Sequence, residues 1–205
     1  MTNVNVLNPE SLTPEFRNSP LVKMLERFEG KHSTEYRDGE GNRHWGIGHN
    51  KEIQQTEREI AIQGNGTALS DDQIYDLLYE DINDALEDLH FIYTDEQINS
   101  WDETRRNVII SQMFQCGIGT IKKFGKMIAA IKEEDWETAA AESLDSKVAR
   151  EQAPERWQEQ ARMLRNGTPK PKHTGSTQNT ETPLEIVEHI QKALNQLQNA
   201  LKGGA

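Results

Sequence analysis

The chain has a single cysteine, Cys116, among 205 residues. One thiol excludes an intramolecular disulfide framework and any multi-cysteine zinc site, and it reads most simply as a buried thiol. His32 and His90 stand at no spacing from Cys116 that metal ligation uses, so both are read as solvated surface imidazoles. No metal and no other cofactor is expected. Long apolar runs are also missing: the longest are a few residues, far below the roughly 20 needed to cross a bilayer. Residues 1–20 carry Asn3, Asn5, Asn8, Glu10 and Arg17 and never build the apolar centre of an export signal. The expectation is a soluble protein made in the cytoplasm, without stable membrane insertion. Positive charge is scarce, with 23 Lys and Arg against 34 Asp and Glu and a net charge of −11. That balance argues against gripping nucleic acid or an anionic membrane through bulk electrostatics.

The negative charge is unevenly spread. Between Arg58 and Arg105 there is no Lys or Arg, while Asp71, Asp72, Asp76, Glu80, Asp81, Asp84, Asp95 and Asp102 accumulate. Such a stretch is a solvated helix face or a docking face for a basic partner. Hydrophobic residues make up only 34% of the chain, and the mean hydropathy is −0.83. The core is therefore expected to be small. The length suits one ordinary domain with a tail, or two small ones.

Residues 1–18 read as an irregular N-terminal arm containing Pro9 and Pro14. A helix then starts with Ser19 as cap and Pro20 at its first position, and Leu21, Met24, Leu25 and Phe28 form its inner face. Glu29 falls at its end. Residues 34–47 are short and turn-punctuated, and Asp38-Gly39-Glu40-Gly41 predicts a hairpin turn before a strand at His44-Trp45. Residues 50–68 read as a polar loop. Ser70 and Gln73 form a capping box that opens a long helix striped by Ile74, Leu77, Leu78, Ile82, Ala85 and Leu89. This helix is expected to join two lobes. Helical segments are predicted over 95–101, 104–116, 121–132, 136–144 and 154–165, with a break at Gly117-Ile118-Gly119. Trp101, Trp136 and Trp157 fall at packing positions, whereas Trp45 suits packing or the site equally.

Residues 168–182, with Pro169 and Pro171, have the composition of a flexible linker. Beyond it, Val187, Ile190, Leu194, Leu197 and Leu201 alternate spacings of three and four, the seam of a short coiled coil over 183–202. Isolated helices of about 12–15 residues are marginal in water. This one is expected to need a partner, through self-association or attachment to another protein, unless it packs back on the main domain.

The segment richest in chemistry runs from Glu29 to His49. A carboxylate ending an apolar helix, followed by a second on a Gly-rich turn, is what two-carboxylate glycoside hydrolysis uses. One group must be desolvated enough to hold a proton, and the other hydrogen-bonded enough to stay ionised. Glu29 beside Phe28 suits the first role and Asp38 the second. The pair alone is weak evidence in so acidic a chain.

The full string resembles the bacteriophage lysozymes of the T-even type, glycoside hydrolase family 24. Eight residues separate Glu29 from Asp38 and five separate Asp38 from His44, the family's signature spacing, and Tyr36, Gly41 and Gly46-Ile47-Gly48-His49 also fall in place. The likeness continues through Arg105-Arg106, Phe114-Gln115-Cys116-Gly117, Phe124, residues 135–140 and Pro154-Glu155-Arg156. It covers about residues 20–167, so that 19–167 is the expected lysozyme domain. The resemblance implies an α+β, mostly α fold, with a small β-sheet N-terminal lobe and a helical C-terminal lobe. It implies a muramidase that cuts the β-1,4 bond between N-acetylmuramic acid and N-acetylglucosamine in peptidoglycan. By position it makes Glu29 the general acid and Asp38 the second catalytic carboxylate, and it pairs Arg156 with the glutamate. His49 and Asp81 match a structural ion pair, and Phe114 a cleft-lining position. Asn50 matches a substrate-contacting position of different residue type.

One departure stands out. The signature has Thr where this chain has His44. An imidazole there opens three routes: water activation, a double-displacement or transglycosylating reaction, or weakened catalysis. The competing function is a structural or assembly component of a phage particle that keeps the lysozyme fold. An acidic enzyme is repelled by the anionic cell wall, so a virion- or tail-associated lysozyme, delivered by a tail or baseplate partner, is a further expectation. Otherwise the protein would wait in the host cytoplasm for access to the periplasm.

Overall fold

A computed structural model of the chain describes residues 7–39, 41–50, 60–62, 64 and 68–168. Of the expected loop at 50–68, residues 51–59, 63 and 65–67 lie outside the described residues, as do the linker beyond Thr168 and the coiled-coil helix expected at 183–202. Among the described residues, no helix is long and apolar enough to cross a membrane.

Residues 7–18 are more ordered than the arm expected from sequence. They form a 3-10 turn at Glu10–Leu12 and a short helix, α1, at Pro14–Asn18, which Thr13 caps by accepting from the Phe16 amide. The order comes from distant partners that local propensity cannot show. The Asn8 amide and the Ser11 hydroxyl both donate to Oδ1 of Asp76 at 2.8 Å, and Asp76 is fully buried. Arg17 pairs with Asp72 at 2.7 Å and lies 4.6 Å above the Tyr75 ring.

Helix α2 spans Pro20–Glu29, begins with the Ser19 cap and Pro20 as the sequence requires, and stops at Gly30, whose φ of 74° no helix continues. Three short strands follow, β1 (His32–Arg37), β2 (Arg43–Gly46) and β3 (His49–Asn50), in one antiparallel sheet of order β1-β2-β3. Tyr36 faces His44 across β1 and β2, and His44 faces Asn50 across β2 and β3.

The capping box predicted at Ser70 and Gln73 opens α3, Asp71–His90. Its N-terminal stripe, with Ile74, Leu77, Leu78 and Ile82, packs with Val22, Leu25, Trp45 and Ile47 in the core of the β lobe. Ala85 and Leu89, further along, join the core of the helical lobe. One helix therefore serves both cores. The helical lobe is built from α4 (Asp95–Ser100), α5 (Glu103–Ile121), α6 (Gly125–Lys132), α7 (Trp136–Leu144) and α8 (Pro154–Asn166). Two boundaries differ from the periodicity. Gly117 takes φ 66° inside α5, so the expected break is a single kinked residue. Ile121 closes α5 instead of opening the next helix, because α6 starts only at Gly125. Trp101 and Trp157 are core residues, as expected, and Trp45 proves to be one too.

Much of the acidic stretch is paired, although Asp71, Asp72 and Asp95 remain exposed. Asp71 pairs with Lys31, Asp72 with Arg17, Asp81 with His49 and Asp95 with His90. Asp102 caps α5 and pairs with Arg105 at 2.8 Å. These carboxylates clamp α3 and its neighbours to the rest of the chain.

Candidate active site

Glu29 ends α2, where three helices and one loop converge on its side chain. Arg156, in the first turn of α8, donates from Nη1 to Glu29 Oε1 at 2.5 Å. Its guanidinium lies 4.7 Å above the Phe28 ring, and its Nη2 donates to the Ser111 hydroxyl on α5 at 3.0 Å. Gln160, one turn along α8, donates to the same hydroxyl at 3.0 Å. Arg156, Ser111 and Gln160 are all buried. A buried guanidinium fixed by a stacked ring and two oxygens loses little freedom when it holds a carboxylate.

Gly48 closes the other flank of Glu29. Its φ is +77°, and a Cβ there would lie 3.0 Å from Glu29 Cγ and 3.2 Å from Oε2. Glycine is required both for the backbone conformation and for the close approach. Gly46, at φ +58°, is favoured as glycine by its backbone conformation alone, since a Cβ there would meet Ile74 at an ordinary 3.5 Å.

Asp38 sits in the β1-β2 turn. Its Oδ1 accepts from the Asn42 amide at 2.9 Å and its Oδ2 from Asn42 Nδ2 at 3.0 Å. His44 Nε2 is 3.1 Å from the same Oδ2, and its Nδ1 is 3.1 Å from the Gly48 carbonyl oxygen. The carbonyl can only accept, so Nδ1 carries a proton. Nε2 then faces the Asp38 carboxylate. In that arrangement neither ring nitrogen presents a lone pair outward.

Gly48 thus touches both halves of the site. Its Cα abuts Glu29, its carbonyl takes His44, and its backbone N–H bonds the phenol of Tyr36. Burial, then the nearby Glu29 and Asp38 carboxylates, raise the Tyr36 phenol above its ordinary range, against that hydrogen bond. Cys116, half-buried, has its thiol pushed up to about 11 by burial, with Arg156 opposing and Glu29 adding. It is a neutral packing group.

The other residues singled out from sequence group around this centre unevenly. His49 is buried, with Nδ1 2.9 Å from Asp81 Oδ1, and ties β3 to α3. Asn50 is half-buried opposite His44. Phe114 stands on α5 one turn beyond Ser111 and packs against both cores, without a described contact to Glu29 or Asp38. Ser111 and Gln160 were missed: a lone Ser and a lone Gln at helical positions give no signal, although Arg156 and Gln160 stand four apart. His32 is exposed, as expected, but its ring packs on Tyr36 with centroids 4.2 Å apart. His90 is an exposed imidazole beside Asp95. Among the described residues, no group of three or more His, Cys, Asp or Glu is placed to hold a metal ion.

Comparison with known proteins accounts for this arrangement. The phage lysozyme family matches residues 26–158, a span that contains Glu29, Asp38, His44 and Arg156. A Dictyostelium discoideum protein, probable T4-type lysozyme 2, is 30% identical over 164 residues, which cover 73% of this chain and 96% of that protein. The chain belongs to the phage lysozyme family of peptidoglycan hydrolases.

Proposed function

We propose that this chain is a muramidase that cuts the β-1,4 bond between N-acetylmuramic acid and N-acetylglucosamine, with Glu29 as general acid and Asp38 as the base for water. The observation that carries the reading is the division of environments across Gly48. Glu29 is held by one buried cation with its Oε1 engaged, which leaves Oε2 as the oxygen that would pass the proton. Arg156 then stabilises the carboxylate left behind when that proton passes to the leaving glycosidic oxygen. Asp38 has N–H donors at both oxygens, the surroundings of an ionised carboxylate. It takes a proton from water as the water oxygen bonds to the anomeric carbon.

His44 has its two nitrogens turned to Asp38 and Gly48, which supports a holding role over attack on the sugar. The outcome is then inversion, read by proton NMR as the first-formed anomer. Longer transglycosylation products would assign the attack to His44 instead. The test of the whole reading is clearance of permeabilised Gram-negative cells. Glu29→Gln is expected to lose about 10³-fold in rate, and equal clearance by both proteins overturns the proposal.

The acidic domain and the heptad spacing at 183–202 support a virion- or tail-associated enzyme over a freely diffusing one. Sedimentation of the chain with and without 183–202 should differ. Identical monomeric behaviour, alone and with tail components, removes that part of the reading. Arg156, His49 and Asp81 act here as supports of the site, and Asn50 and Phe114 as substrate contacts.

A further inference from the structure

A row of rings lies along the site that the two-carboxylate chemistry does not use. Tyr36 and His44 stack with centroids 5.5 Å apart and planes 26° apart. His32 stacks on Tyr36 at 4.2 Å and 38°. The row begins against Gly30, the residue that follows Glu29, since a Cβ on Gly30 would come within 2.9 Å of His32 Nε2. It ends at Asp38, which His44 contacts. The outermost ring, His32, is exposed, and among the described residues its nitrogens have no hydrogen-bond or ion-pair partner.

An exposed histidine ordinarily samples several rotamers and loses that freedom when it binds. His32 is different, because Tyr36 covers one face of the ring and the Gly30 backbone lies against its edge. Tyr36 is itself braced by the Gly48 amide. An imidazole pre-fixed in this way offers a ring nitrogen for hydrogen bonding at the rim of the site, with little ordering still to be lost. Sugar hydroxyl and acetamido groups need such hydrogen-bonding partners.

We propose that His32 is a substrate-binding residue that hydrogen-bonds the glycan strand next to the scissile bond, presented by the His32–Tyr36–His44 stack. This rests on the muramidase reading above. The ligand class is the β-1,4-linked amino-sugar backbone and not the peptide stem. His32→Phe keeps a ring for the stack and removes the nitrogens, and His32→Gln restores hydrogen-bonding capacity without the ring.

The test measures binding of a β-1,4-linked N-acetylglucosamine oligomer by titration calorimetry in the uncleaving Glu29→Gln background, and turnover of peptidoglycan in the wild-type background. In calorimetry, His32→Phe is expected to weaken oligomer binding about five- to tenfold. His32→Gln should recover part of the loss. In turnover, KM should rise by a similar factor with kcat within about twofold, and the melting temperature should not move. Oligomer binding unchanged in His32→Phe overturns the proposal, as does a fall in kcat at constant KM. Weakening seen only with stem-bearing fragments also overturns it, since the contact is then to peptide. Should wild-type protein fail to turn over peptidoglycan while His32→Phe still weakens oligomer binding, the muramidase reading fails and the glycan contact stands.

Discussion

The two carboxylates of the site are held in opposite ways. Glu29 depends on a residue 127 positions away, Arg156, and through it on Ser111 and Gln160 deep in the helical lobe. Asp38 depends on Asn42 and His44, four and six positions away in the same hairpin. Exposure follows the same division: the Glu29 side chain is 20% exposed and its partner 8%, against 33% for Asp38. The surroundings of Glu29 are a product of tertiary structure and those of Asp38 a product of a local turn. Damage to the first should therefore cost stability and activity together, and damage to the second mainly activity.

The largest expected effect comes from Arg156→Met. The change strands Glu29 and leaves the Ser111 hydroxyl without its cation. Breaking a buried pair on one side costs about 3 kcal/mol, reduced slightly here because Glu29 keeps some contact with solvent. Thermal unfolding should drop by several degrees, and turnover should fall about 10²-fold. A variant with normal stability and low activity would remove the claim that the helical lobe builds this side.

Gly48→Ala attacks both halves at once and ranks next. The new methyl meets Glu29 at 3.0–3.2 Å in a left-handed backbone, a strain of about 1–2 kcal/mol. The same backbone unit serves His44 and Tyr36, so the loss cannot be confined to one carboxylate. Activity should fall by at least about tenfold, with a modest loss of stability. Little change in either measurement would mean that the loop relaxes freely and that Gly48 is not the shared support.

The division also explains what the sequence made visible. The hairpin, the Ser19 cap and the Ser70 capping box depend on neighbours within a few positions, so spacing and residue type revealed them. The amphipathic stripe of α3 was legible for the same reason. Arg156 was assigned to Glu29 only through family resemblance, because nothing local relates positions 29 and 156. Ser111 and Gln160 left no mark at all. The N-terminal residues show the other side of this rule: Pro9 and Pro14 suggested irregularity, yet Asp76 gathers Asn8 and Ser11 from more than 60 positions away. The acidic stretch looked like a surface property alone, yet Arg17, Lys31 and His49 reach it from elements folded against α3, while Asp102 meets Arg105 within its own helix.

His44→Ala tests the local half. It cuts the link between Asp38 and the Gly48 carbonyl but leaves both Asn42 bonds in place. Stability should shift by less than about 1 kcal/mol, since the lost contacts are two hydrogen bonds within the hairpin and its loop and both Asn42 bonds to Asp38 remain. Turnover should fall about tenfold through looser positioning of Asp38. A large stability loss would show that the hairpin, like the helical side, is held by tertiary contacts.

The smallest effect concerns Cys116, on the helical side of the site. Its thiol is pushed up to about 11 by burial in the folded protein, whereas an unfolded chain has the ordinary value of about 8.5. A folded value above the unfolded one means that the neutral thiol favours the native state fully below the unfolded value. That contribution is lost as pH rises toward 11. Alkylation by iodoacetamide at pH 8.5 should therefore be at least about tenfold slower in native protein than in denatured protein, because the thiolate is the reactive form. Cys116→Ser, which removes the titration, should flatten the decline of stability between pH 9 and 11. Rapid alkylation of the native protein would mean that the helical wall beside Glu29 opens readily. The surroundings of Glu29 would then be no more rigid than those of Asp38.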